Sequence, residues 1–339
     1  MRRSPEPRLS PRSCLVLLAV AVVAILVAVL VPTTEPSRSG PAAGAPVLRP
    51  ADPLQFHRLP DPARTVVLDA SGAVLATFTD GARTVAVAGP PRTFAEPGAT
   101  DATVASAVWV RFAPTPWAEG AERESWFRPW LVSALADRAP DVLAVAFEYF
   151  DDAPDRFDDT GLRIAGDASF GPLRADGGRA EATDFYDYLG VPWTFPDGRT
   201  AEPEQRRRDA VDCSGYIRLV VGYRLGFPML SGNDPGPGLP RRAYAMAAHG
   251  PGTLILPDRG DPPAELHRLQ PGDLLFFVTD SEPGIDHSAF YVGIDSDGRH
   301  RFVSSRSSLD GPTIGDGTAL SVVDGDGWFA SGFRAARRL

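Results

Sequence analysis

Lysine is missing altogether from this 339-residue chain, so all 34 of its basic side chains are arginines. Beside the many alanines, prolines and glycines, that absence reads as compositional bias rather than a functional device. The body of the chain has no basic cluster and the formal net charge is -9, which together exclude a nucleic-acid partner. Metal-ligand spacing is lacking, as is a glycine-rich phosphate loop. No cofactor is expected. Cysteine is scarce, with only Cys14 and Cys213.

The first feature that is present is an address. Arg2, Arg3, Arg8 and Arg12 precede an unbroken apolar run from Leu15 to Val31. At about 17 residues it meets the lower limit for a bilayer-spanning helix. It is somewhat long for a signal-peptide core, and Ala42-Ala43-Gly44-Ala45 is a vague cleavage site. The basic flank belongs in the cytoplasm, so the remainder is expected outside it, membrane-anchored through this helix or secreted. Cys14 precedes the run. The exported part therefore holds one thiol, Cys213, which is either a reactive group or a small buried hydrophobe.

Residues 32–53 are rich in Pro, Ser, Gly and Ala and read as a flexible linker. Apolar alternation then runs through Val66, Leu68, Val74, Leu75, Phe78, Val85 and Val87. Ser71-Gly72 and Asp80-Gly81 punctuate it as hairpin turns do, so a small antiparallel sheet is predicted. A strand follows at Val108 to Phe112. Glu119 to Arg138 has helical spacing with Trp126 and Trp130 on its apolar stripe, read as core packing rather than a glycan groove. Val142 to Phe147 reads as a buried strand, and Asp151 to Gly178 as a polar loop between domains. Beyond it a helix is predicted at Asp184 to Leu189 and another at Asp212 to Arg224. Strands are predicted at Leu274 to Val278, Ala289 to Ile294 and Arg301 to Ser304. The expected organisation is a leader or anchor at 1–31, the linker at 32–53, a β-rich region with one helix at 54–170, and an α+β domain at 171–339.

Chemistry concentrates at Val211-Asp212-Cys213-Ser214-Gly215. Asp212 is a plausible N-cap, which puts Cys213 in the first turn, where the helix dipole and free N–H groups favour a thiolate and can face a developing oxyanion. Gly215 keeps bulk off the cleft floor. Such a nucleophile needs a base near neutrality, and histidine serves best. Of the five histidines, His287 opens an apolar strand, where a sheet can hold its ring.

Several segments carry a resemblance. Asp212-Cys213-Ser214-Gly215-Tyr216 resembles the nucleophile motif of the NlpC/P60 cysteine peptidases, and Leu239-Pro240-Arg241 a following segment of that family. Gln270-Pro271-Gly272-Asp273-Leu274-Leu275-Phe276-Phe277 is similar to its PGDLLFF strand, and His287 to Gly293 to its histidine strand. Leu189-Gly190-Val191-Pro192-Trp193 resembles its GxPY segment, with Trp193 in place of tyrosine. The segments fall in family order across residues 184 to 308, while 54 to 170 match nothing. The resemblance implies a papain-like α+β domain, a Cys-bearing helix packed on an antiparallel sheet that bears the His. It implies Cys213 as nucleophile and His287 as general base, and peptidoglycan stem peptides as partner and substrate. Ser304 aligns with the third, orienting residue, with His300 and Ser305 as rivals. Trp193, Asp212 and Ser214 are expected around substrate and oxyanion. An amidase or acyltransferase with the same dyad, or a decayed wall-binding module, remains as an alternative. Arg206-Arg207-Arg208 reads as a solvated run.

Overall fold

The computed structural model describes residues 48–280 and 284–339. The predicted leader at 1–31 and residues 32–47 of the 32–53 linker lie outside the described residues. Among the described residues no helix is long and apolar enough to cross a membrane. The described residues belong to one compact unit, an α+β structure built on antiparallel sheets.

The alternating segment folds as a five-stranded meander of β1 (Gln55–Pro60), β2 (Ala63–Leu68), β3 (Val74–Thr79), β4 (Thr84–Phe94) and β5 (Val104–Phe112). Period-2 alternation sends Val67, Ala76, Phe78, Val85 and Val87 to one face, and a register shift between Val67 and Leu68 lets Leu75 join the same core. The helix Phe127–Ala136 lays Phe127, Leu131 and Leu135 against it. Trp126 and Trp130 pack on the same core, and the Trp130 indole donates to the Phe112 carbonyl at 3.2 Å. Val142–Ala146 is a helix, not the predicted strand. Its apolar run is too short for periodicity to decide, and Asp141 caps it by accepting from the Ala144 N–H at 3.0 Å.

Two short hairpins follow, β6/β7 (Arg156–Phe157, Arg163–Ala165) and β8/β9 (Trp193–Thr194, Thr200–Ala201), and between them the helix Phe185–Leu189. The second sheet contains β10 (Thr253–Leu256), β11 (Leu274–Phe277), β12 (His287–Ile294), β13 (His300–Arg306), β14 (Gly311–Thr313) and β15 (Phe333–Arg338), in the order β10-β15-β11-β12-β13-β14. Both faces are covered, which is why β11 reads as the uninterrupted run Leu-Leu-Phe-Phe. Leu274, Phe276, Phe290, Val292 and Val303 face the helix Cys213–Ile217. Leu275, Phe277, Ala289, Tyr291 and Phe302 face Phe329 and Phe333. The largest core draws Phe94, Val104 and Val110 from the meander together with Tyr216 and Phe290, so it spans the position of the predicted domain boundary. The helix predicted over Asp212 to Arg224 begins at Cys213 and continues beyond Ile217 as a π-helix, Arg218–Arg224.

Candidate active site

Asp212 caps its helix as predicted, accepting the Gly215 N–H at 2.7 Å. Cys213 is thereby the first helical residue, with first-turn N–H groups that have no intrahelical acceptor. Gly215 has a different purpose from the expected one. A Cβ there would lie 2.3 Å from the Thr183 carbonyl oxygen and 3.0 Å from the Asp184 Cα, so glycine lets the helix approach the chain ahead of Phe185–Leu189.

Asp212 also anchors a buried charge network. Arg241 grips it with both Nη atoms, at 3.2 and 2.7 Å. The Arg241 Nε lies 3.2 Å from Asp184, and the Arg218 Nε donates to both Asp184 oxygens at 3.0 and 3.1 Å. Ser214 accepts from Arg241 at 2.7 Å and donates to Asp212 at 3.2 Å. Burial alone would push the Asp212 carboxyl up, but Arg241, the Gly215 N–H and Arg242 together hold it below the usual carboxylate value. Sequence reasoning gave Arg241, Asp184 and Arg218 no role. Their signals were the Leu-Pro-Arg segment and the helix-capping position of Asp184.

Cys213 and His287 line one cavity of about 640 Å³, with Ser214, Asp286, Arg306, Phe329 and the half-exposed Tyr244 and Trp328 on its walls. Strand alternation turns Ser288 toward the helix-bearing face and His287 toward the other. The His287 ring lies 5.9 Å from Phe277 and 5.5 Å from Phe329, centroid to centroid. The Cys213 thiol donates to the Asp286 carbonyl at 3.7 Å rather than to His287.

The expected low-pKa thiolate is not what this surrounding produces. Burial, reinforced by Asp212, pushes the Cys213 thiol up to about 12, outweighing the opposing influence of the neighbouring Ser288. Burial, reinforced by the Arg306 charge, pushes the His287 imidazole down to about 3. Between those values the resting pair is a neutral thiol beside a neutral imidazole. At pH 7 the thiol is protonated. Alkylation of Cys213 by iodoacetamide in the resting protein should therefore keep climbing with pH through the alkaline range. A plateau reached below pH 7 would show a preformed thiolate–imidazolium pair and refute this electrostatic account.

The remaining sequence-derived candidates are dispersed. The His287 Nε2 is buried without a hydrogen-bond partner, so none of the three proposed third residues orients it. Ser304 accepts a charge-assisted bond from the Arg306 Nε at 3.1 Å. Ser305 donates to the Val211 carbonyl at 2.6 Å. His300 is engaged with the Tyr291 hydroxyl at 2.8 Å. Trp193 packs edge-on against Phe185 and Tyr223, at 5.2 and 5.8 Å, and is not among the cavity-lining residues. Its large apolar ring gains more from an aromatic cluster than from a wet cleft. Asp212 and Ser214 do line the cavity, but through the cap and Arg241 their polar atoms serve the nucleophile helix.

Comparison of the chain with models of known families, with curated proteins and with solved structures found no match.

Proposed function

We propose that this chain is an extracytoplasmic cysteine peptidase of the NlpC/P60 type, with a papain-like catalytic domain. Its substrates are peptidoglycan stem peptides, cut between D-glutamate and a diamino acid. One observation carries the reading: Cys213, which opens a capped helix, and His287, which opens β12, line the same cavity of about 640 Å³. The motif resemblance supplies the substrate class.

The neutral resting pair sets the order of events. His287 acts as general base, taking the thiol proton as sulfur attacks the scissile carbonyl carbon. The S–C bond forms, and first-turn N–H groups stabilise the oxyanion. Collapse breaks the C–N bond, and the imidazolium returns its proton to the departing amine. Water, deprotonated by the same histidine, then hydrolyses the thioester to a carboxylic acid and the free thiol. An imidazole near pKa 3 is a weak base, so substrate must offset the burial penalty or the Arg306 charge that His287 bears at rest.

A second reading, a wall-binding module whose chemistry has decayed, is favoured by the unpartnered His287 Nε2 and by the thiol bond to Asp286. An amidase or acyltransferase would keep the dyad and change the products. Mass spectrometry of muropeptides incubated with the full chain separates all three. Peptidase action yields fragments summing to substrate plus water, with the cleaved bond named by their masses. Acyl transfer yields adducts of the acceptor. Unaltered muropeptides would overturn the enzyme reading.

A further inference from the structure

Arg306 ends β13 and is 2 % exposed, yet it makes no ion pair among the described residues. Buried arginines usually have one, as Arg218 has in Asp184, Arg301 in Asp295 and Arg338 in Asp273. The Arg306 guanidinium instead meets neutral acceptors: Ser304 Oγ at 3.1 Å, the carbonyls of Gly315 and Ala319 at 3.2 Å each, and Ser321 Oγ. These account for four of its five N–H groups. Its nearest acids are committed elsewhere. Asp316 accepts from Arg301 and Thr100, and Glu96 from Thr313 and the Ile314 N–H.

The location of this uncompensated charge gives it meaning. Pairing of β12 with β13 runs from Ile294–His300 to Phe290–Val303, and His287 and Arg306 each lie three residues beyond that last pair on their own strands. Both side chains rest on Phe329, the guanidinium carbon 4.6 Å and the imidazole centroid 5.5 Å from that ring's centroid. Both line the cavity that holds Cys213. Arg242 is the other arginine on its wall, and it is half exposed and 3.8 Å from Asp212.

We propose that Arg306 is the specificity residue of this cleft and takes a carboxylate of the substrate close to the scissile bond. This rests on the cysteine-hydrolase reading above. A carboxylate there supplies the missing counter-charge and cancels the positive field that opposes proton uptake by His287. The substrate thus binds through Arg306 and switches on its base in one event, which a neutral isostere does not do.

Two alkylating reagents of nearly equal size, iodoacetate and iodoacetamide, test the charge preference on the full chain without any turnover. The ratio of their Cys213 alkylation rates at pH 8 is compared with the same ratio on N-acetylcysteine. In the wild type the ratio should exceed the free-thiol value by about tenfold. It should fall to the free-thiol value in Arg306→Met, stay high in Arg306→Lys, and survive Arg242→Gln. A wild-type ratio no higher than that of the free thiol overturns the proposal, and this arm decides alone if Arg306→Met proves unfolded by circular dichroism. Loss of the preference in Arg242→Gln with retention in Arg306→Met overturns it equally. Absence of muropeptide cleavage with the ratio intact would instead remove the hydrolase reading and leave Arg306 as an anion site.

Discussion

Alanine at Cys213 or at His287 is expected to lower kcat/KM for stem-peptide hydrolysis by about 10³-fold or more, and the double replacement to lower it no further. The two side chains share one step: without the base the buried thiol stays protonated, and without the thiol the base has no proton to move. Their effects therefore do not multiply. Cys213 is 8 % exposed and its thiol makes one long bond to the Asp286 carbonyl. Truncating it should cost only about 1 kcal/mol of stability, so thermal melting serves as the control for folding. Steady-state kinetics of the three variants on one purified muropeptide decides the matter. Losses that multiply would mean two independent contributions and would sink the dyad. A loss under tenfold in Cys213→Ala would remove the nucleophile.

The largest effect on stability is expected at Asp184, which no catalytic step uses. Its side chain is 1 % exposed and meets Arg218, itself fully buried, and Arg241. It also caps the helix Phe185–Leu189 in a reciprocal box with Asp187. Asp184→Ala leaves the Arg218 charge buried with the Leu230 and Leu239 carbonyls, at 2.9 Å each, and the Phe185 and Phe195 rings for compensation. Removing one member of a buried ion pair costs about 3–5 kcal/mol, and loss of the cap adds about 1. For a unit of this size that is roughly a 10 °C fall in Tm. Asp184→Asn keeps the shape of the cap but not the charge, and should recover only the smaller part. A change under about 2 °C for the alanine variant, read by calorimetry, would contradict the network's importance. Part of the damage should reach the thiol, because Arg241 joins Asp184 to Asp212 and so to the cap beneath Cys213.

The same groups fix the acid limb of stability. The folded Asp212 carboxyl sits below its ordinary 3.8, so its contribution is present above that value and lost as pH falls through the folded one. His287 acts earlier. Unfolded imidazole takes up a proton near 6.5 while the buried ring resists down to about 3, so stability declines across that interval.

Much of this architecture follows from local pattern. The Ser71-Gly72 and Asp80-Gly81 turns, the strands around Leu274, Ala289 and Arg301, and the Asp212 and Asp184 caps rest on rules that act within a few residues. Such rules placed a cysteine at the head of one helix and a histidine at the head of one strand. They failed at Val142–Ala146, where an apolar run of five residues satisfies helix and strand equally and the capping bond of Asp141 decides.

What only the tertiary structure decided is which charge meets which. Ser304 aligns with an orienting residue, yet it accepts from Arg306 two positions on; that alternation was visible, but the absence, among the described residues, of an acid paired with Arg306 was not. Trp193, Asp184 and Arg241 likewise acquire their partners from segments tens of residues away. The thiol's protonation state is decided in the same way, since the helix terminus favours the anion but burial against Ser288 and the sheet outweighs it. Periodicity and capping are near-neighbour interactions that a sequence carries in order. Desolvation and ion pairing depend on distances through space, and those exist only once the sheets have closed over the cleft.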